Sequence, residues 1–169
     1  MSLLKVNFQE LYQRHLCRHS QWGINVIHLA TVIASYLAIF GILAKLVEPE
    51  WILLAVPVLY FSALAFNIPL RVLVTSLIFV VLFFVLFFSL PESTTMGLSA
   101  STTFLLYLLI IVLSHQVQNW SHKLFPIARD MSEYDQKYKK GPALFVLLSL
   151  YELPILLNYL VFDKKSWAA

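Results

Sequence analysis

The feature that most constrains this chain is the near absence of charge from five apolar stretches of bilayer length. They are Ile24 to Ala44, Trp51 to Asn67, Leu70 to Leu90, Met96 to Ser114 and Pro142 to Phe162. A helix needs about 20 apolar residues to cross ~30 Å of hydrocarbon. The second stretch is a little short, the third holds Arg71 near its start, and Glu152 and Pro154 interrupt the fifth. None alternates with a period of two, as barrel strands would. Of 169 residues 60% are hydrophobic and 12% charged, with a mean hydropathy of +0.78. A soluble domain of this size has too much surface to hide such a composition. The reading is an all-α, multi-pass transmembrane helical bundle of four to five spans with a short N-terminal interfacial helix. It forms a single integral membrane domain over 1–169: an interfacial segment 1–23, spans within 24–121, a polar loop 122–141 and a last apolar segment 142–162.

Charge narrows the classes further. The net charge is +3, and the basic residues alternate with acids, so no nucleic-acid footprint is present. Cys17 is the only cysteine, which excludes a disulfide framework and a thiolate-rich zinc site. The first 21 residues lack a cleavage signature, so the first span is expected to double as the insertion signal. Trp22, Trp51, Trp120 and Trp167 stand near the ends of stretches, as an aromatic belt requires. If all five stretches cross, Lys5, Arg14, Arg18, Arg71 and the five basic residues of the long loop share one side. Only Lys45, Lys164 and Lys165 lie opposite. That asymmetry places the N-terminus and the long loop in the cytosol. The membrane is the endoplasmic reticulum in a eukaryote and the inner membrane in a bacterium. Oligomeric state stays open.

On that topology all five histidines fall at one membrane face. His15 and His19 precede the first span, His28 lies about one turn inside it, His115 ends the fourth stretch and His122 opens the loop. His15 and His19 share a helix face at i and i+4. His115 and His122 are seven apart, ~10 Å along a helix, too far to share one ion without a bend. Gln118 and Asn119 sit between them. Imidazole suits iron, zinc and copper, and polar groups at membrane depth default to a functional reading. Single interfacial histidines more often meet headgroups and water; five on one face favour a metal or catalytic site. His19, His28 and His122 are the candidate catalytic residues and metal ligands, with His115 and His15 as weaker ligands. Glu152 fits a ligand, a proton shuttle or a packing partner equally well.

The stretch LYQRHLCRHSQWGINVIHL resembles the opening of the small membrane-bound 2-hydroxy-fatty-acid dioxygenases. His19 and His28 stand as that family's first two histidines do, after Tyr12. QVQNWSHKLF is similar to its second box, through Gln118, His122 and Phe125, and Pro142, Ala143, Leu144 and Glu152 match a later segment. Trp22 and Gly23 occupy a stretch where the family usually has Pro and Asn, and Ser121 stands for its Gly. The resemblance implies a non-haem Fe2+ enzyme that uses molecular oxygen to shorten a 2-hydroxy fatty acid by one carbon in α-oxidation. Arg14, Arg18, Lys123 and Gln118 are then candidate substrate contacts, the cations neutralising the carboxylate. Two other classes stand beside it: a membrane lipid hydroxylase or desaturase with a second metal, and a non-enzymatic scaffold or carrier.

Overall fold

The computed structural model describes residues 6–89, 98–126, 129–139 and 141–167, and these are helical apart from turns and connections. The expected start of the fourth stretch at Met96, and Lys5 and Lys140 of the charge count, lie outside the described residues. The helices are α1 (Phe8–Leu16), α2 (Trp22–Leu46), α3 (Ala55–Leu64), α4 (Leu70–Ser89), α5 (Ala100–Leu124), α6 (Ser132–Lys137) and α7 (Pro142–Leu157). A 3-10 turn, Glu50–Leu54, leads into α3, and a π turn, Asn158–Phe162, continues α7. Four helical segments are long and apolar enough to cross a membrane: α2, α4, α5 and α7 with its π turn. The chain is thus an all-α bundle of membrane-spanning length.

Two boundaries differ from the sequence expectation. The second stretch does not form one continuous helix of spanning length: it divides into the 3-10 turn and ten-residue α3, which alone covers ~15 Å. The fourth helix runs to Leu124, ten residues past Ser114. Its polar end stays helical because Gln118, Ser121 and His122 share a face that turns inward, with Ser121 fully buried.

Helices α2 and α5 form the main pair and run antiparallel. Gly41 meets the ring of Tyr107, His28 approaches His122, and Gly23 meets the ring of Phe125. A Cβ on Gly41 would stand 2.5 Å from Tyr107 Cζ, so glycine sets the separation of the two helices. Since α2 leaves the N-terminal face and α5 returns to it, α3 and α4 make a hairpin between them. The turn of that hairpin comes back to the N-terminal face, where the Val6 amide donates to Asn67 Oδ1 at 3.1 Å.

Asn7 caps α1, its side chain accepting from the Glu10 amide at 3.2 Å. The buried stripe of α1 (Phe8, Leu11, Tyr12, Leu16) belongs to one apolar cluster with Leu64, Ile68 and Val72 of the α3–α4 hairpin and Leu144, Leu147, Tyr151, Ile155 and Tyr159 of the α7 segment. The other side of α7, Leu153 and Leu157, packs with Phe40, Val80, Phe83 and Phe84 of the bundle. Helix α7 is therefore enclosed by protein, with 56% of its apolar window buried against 11% for α5. Pro154 removes the amide that would bond the Leu150 carbonyl, and the Tyr60 hydroxyl donates to that carbonyl instead, at 2.8 Å. The helix consequently passes through Pro154 rather than folding back there.

Both flanks of α7 are tied to the N-terminal face. Lys137 pairs with Glu10 before it. Beyond it, the Tyr12 hydroxyl donates to Asp163 at 2.7 Å, the Tyr159 hydroxyl donates to the Ser20 carbonyl at 2.6 Å, and Trp167 packs on Trp22. Arg71 lies over the Phe162 ring at 5.2 Å. Lys164 and Lys165 consequently lie beside α1 and not on the opposite side, which corrects the charge count made from five crossings.

Candidate metal centre

Each ring of the histidine cluster is delivered by a different local device. Asn25, fully buried one turn into α2, donates from Nδ2 to the carbonyls of His19 (2.7 Å) and Gln21 (2.8 Å). Its Oδ1 accepts from His15 Nε2 at 2.8 Å. One amide side chain thus closes the connection between α1 and α2 and fixes where His19 stands. His28 follows Asn25 by three residues and points the same way.

The hydrogen bonds also dictate tautomers. His19 Nδ1 faces the His15 carbonyl at 3.2 Å, and a carbonyl only accepts, so Nδ1 carries the proton. His28 Nδ1 faces Glu152 Oε1 at 3.2 Å and donates to it. In both rings Nε2 keeps its lone pair, and both Nε2 atoms are buried without a partner. His122 completes the group: His19, His28 and His122 offer ligand atoms that all lie within 4.8 Å of one another. Their ring centroids are 4.6, 4.7 and 5.4 Å apart, with the rings steeply inclined to each other. Buried polar atoms without partners are rare and costly, and three convergent imidazole nitrogens fit a cation. A carboxylate behind a ligating histidine is a recurrent support of such sites. Glu152 fills that place, and Gln118 Nε2 holds the same carboxylate oxygen at 3.1 Å.

Electrostatics agree with a neutral His19. Burial, reinforced by His15, His28 and His122, holds the His19 imidazole well below its ordinary range. Burial likewise pushes His15 down to about 3, opposed by the hydrogen bond that His15 donates to Asn25. Arg14 is lowered by burial too, and it forms no ion pair among the described residues. Its Nε is buried without a partner.

The cluster opens onto a cavity of ≈ 200 Å³. The structure brings His15, His19, His28, His115, His122, Arg14, Arg18, Gln118 and Glu152 to its walls. Lys123 is exposed and does not line it. His15 stacks on His19 at 4.1 Å with its Nε2 committed to Asn25, and His115 stands outside the group of three. Sequence reasoning gave Asn25 no part in the site, although it is an amide at i−3 from a span histidine. It also missed Phe145, Leu148 and Ile155, apolar walls indistinguishable in sequence from any lipid-facing residue. Comparison of the chain with protein-family models, with curated proteins and with solved structures returns no match.

Proposed function

We propose that the chain is an iron(II) dioxygenase that shortens 2-hydroxy fatty acids by one carbon at the cytosolic membrane face. The observation that carries this reading is the pair of buried, unpartnered Nε2 atoms on His19 and His28, with His122 in reach of both. The substrate class rests on the sequence resemblance. His19, His28 and His122 would hold the ion. Iron(II) bound there supplies redox chemistry with molecular oxygen, for which imidazole ligation is suited. The remaining work belongs to the chain's own groups. Glu152 and Gln118 orient His28; Arg14 and Arg18 balance a substrate carboxylate; Phe145, Leu148 and Ile155 limit water around the reacting headgroup. The distribution of charge supports the orientation. Nine described basic residues (Arg14, Arg18, Arg71, Lys123, Arg129, Lys137, Lys139, Lys164, Lys165) lie at the histidine face, and Lys45 alone lies at the other.

The test is metal content and lipid conversion on the purified full chain. The expected result is one iron per chain, with conversion of a 2-hydroxy fatty acid to the acid one carbon shorter. Both should be lost in His28→Ala and His122→Ala. Iron-free protein together with unaltered conversion in those variants would reject the reading. Two metals per chain and a need for an electron donor would favour the hydroxylase or desaturase class. Among the described residues only one group of three ligands is present, which favours a single ion.

A further inference from the structure

The chamber beside the histidines is lined by buried and exposed residues, and the exposed ones include residues of α5 and α7. Helix α5 packs along α2, whereas α7 packs on α4, α2 and α1, so α5 and α7 flank the chamber without packing closely on each other. Among the described residues one side-chain bond joins them, Gln118 Nε2 to Glu152 Oε1. Beside that bond, His115 on α5 and Phe145 and Ser149 on α7 line the chamber and are themselves exposed, Phe145 at 65%. His115 lies seven residues from His122, ~10 Å further into the span. The opening therefore lies in the flank of the bundle, along a helix whose apolar window is only 11% buried. In a bilayer that flank meets acyl chains rather than water.

The chamber is also small. Its ≈ 200 Å³ equals about seven waters at ~30 Å³ each. That admits a headgroup of a few heavy atoms and excludes a long tail. Its inner wall carries Arg14, whose Nε is buried without a partner, with Arg18 beside it.

We infer that the cleft between α5 and α7 is a lateral port for a single-chain lipid with a small carboxylate headgroup. The headgroup sits against Arg14 and Arg18 and the tail remains in the bilayer. This rests on reading the chamber as a substrate site, and it adds the route of entry and a limit on headgroup size. Arg14 acts as a binding and specificity-determining residue. A partly buried guanidinium lining the chamber gains a charge-assisted bond from a carboxylate headgroup that a neutral headgroup cannot supply.

The experiment uses the full chain in zwitterionic nanodiscs without added metal, and a spin-labelled fatty acid as probe. Its immobilised fraction is read by electron paramagnetic resonance. The wild type should immobilise the acid and not the matching fatty alcohol. Arg14→Gln should weaken acid binding at least tenfold, Arg18→Gln less, and Ser149→Trp should block it by filling the mouth, while Ser149→Ala binds normally. Lysophosphatidylcholine, whose headgroup exceeds the chamber, should not compete. Equal binding of acid and alcohol, wild-type affinity in both arginine variants, undiminished binding in Ser149→Trp, or competition by the lysolipid would each overturn the inference. Thermal unfolding of each variant separates lost binding from lost fold. A chain that binds the acid as described but holds no iron keeps this inference and removes the dioxygenase.

Discussion

Replacing Asn25 with Ala tests the join between fold and site. Asn25 is fully buried and makes three side-chain hydrogen bonds, to His15 Nε2 and to the carbonyls of His19 and Gln21. Net contributions of ~1 kcal/mol per bond give a loss of about 3 kcal/mol, because the freed groups stay buried. That is about two orders of magnitude in the unfolding equilibrium. Asn25→Asp sharpens the test. It keeps the size and the acceptor for His15, but sets an oxygen against two carbonyl oxygens, so it should destabilise at least as much as Ala. Because Asn25 holds the backbone of His19, metal affinity should fall about 10- to 100-fold, the usual effect of losing a support behind a ligand. Stability is read by tryptophan fluorescence during titration with a denaturing detergent, and affinity by calorimetric metal titration. A variant within 0.5 kcal/mol of wild type whose metal affinity is unchanged would refute the argument that this amide positions His19.

Four further outcomes follow from the same contacts. Glu152→Gln retains an oxygen for His28 but loses the charge, and should lower metal affinity about tenfold by calorimetry, with Glu152→Ala lower still. Tyr12→Phe removes the bond to Asp163 and should cost about 1.5–3 kcal/mol in detergent unfolding, the range for a bond to a charged acceptor; no change would mean that the contact does not hold α1 to the C-terminal segment. Gly41→Leu, driven into the Tyr107 ring, should separate α2 from α5 and weaken metal binding although it lies far from the histidines; retained affinity and stability would refute the close-packed crossing. In a Cys17→Ala background, cysteines at Arg129 and Lys164 should react with an impermeant thiol reagent from one side of the membrane and a cysteine at Lys45 from the other; labelling of Lys164→Cys with Lys45→Cys would refute the shared face of the two ends of α7.

The bundle was legible because lipid-facing helices advertise themselves by composition alone. The gathering of His19, His28 and His122 was legible because histidines at span ends locate a membrane face. What escaped reading were properties of pairs. His122 to Leu124 read as the start of the polar loop, yet they continue α5, whose polar end has inward partners that no local pattern reveals. Pro142 to Phe162 read only as a last apolar segment, with no sign of whether it crosses, and it is the most enclosed of the long helices. More than half of its apolar window is buried against α1, α2 and α4, and hydropathy cannot tell a protein surrounding from a lipid one. The tie between Tyr12 and Asp163 joins residues 151 positions apart and has no sequence signature at all.

The one-sided packing of α5 has a mechanical corollary. With α2 as its principal neighbour, α5 resembles a lever resting on a single rail, and its histidine end is the end free to swing. A cation gripped by His19, His28 and His122 would act as a clasp, binding that lever to the first 28 residues across the intervening 94 positions (122 − 28). Removing it should loosen α5 before any other helix, and amide exchange along Ala100–Leu124 should rise first on chelation.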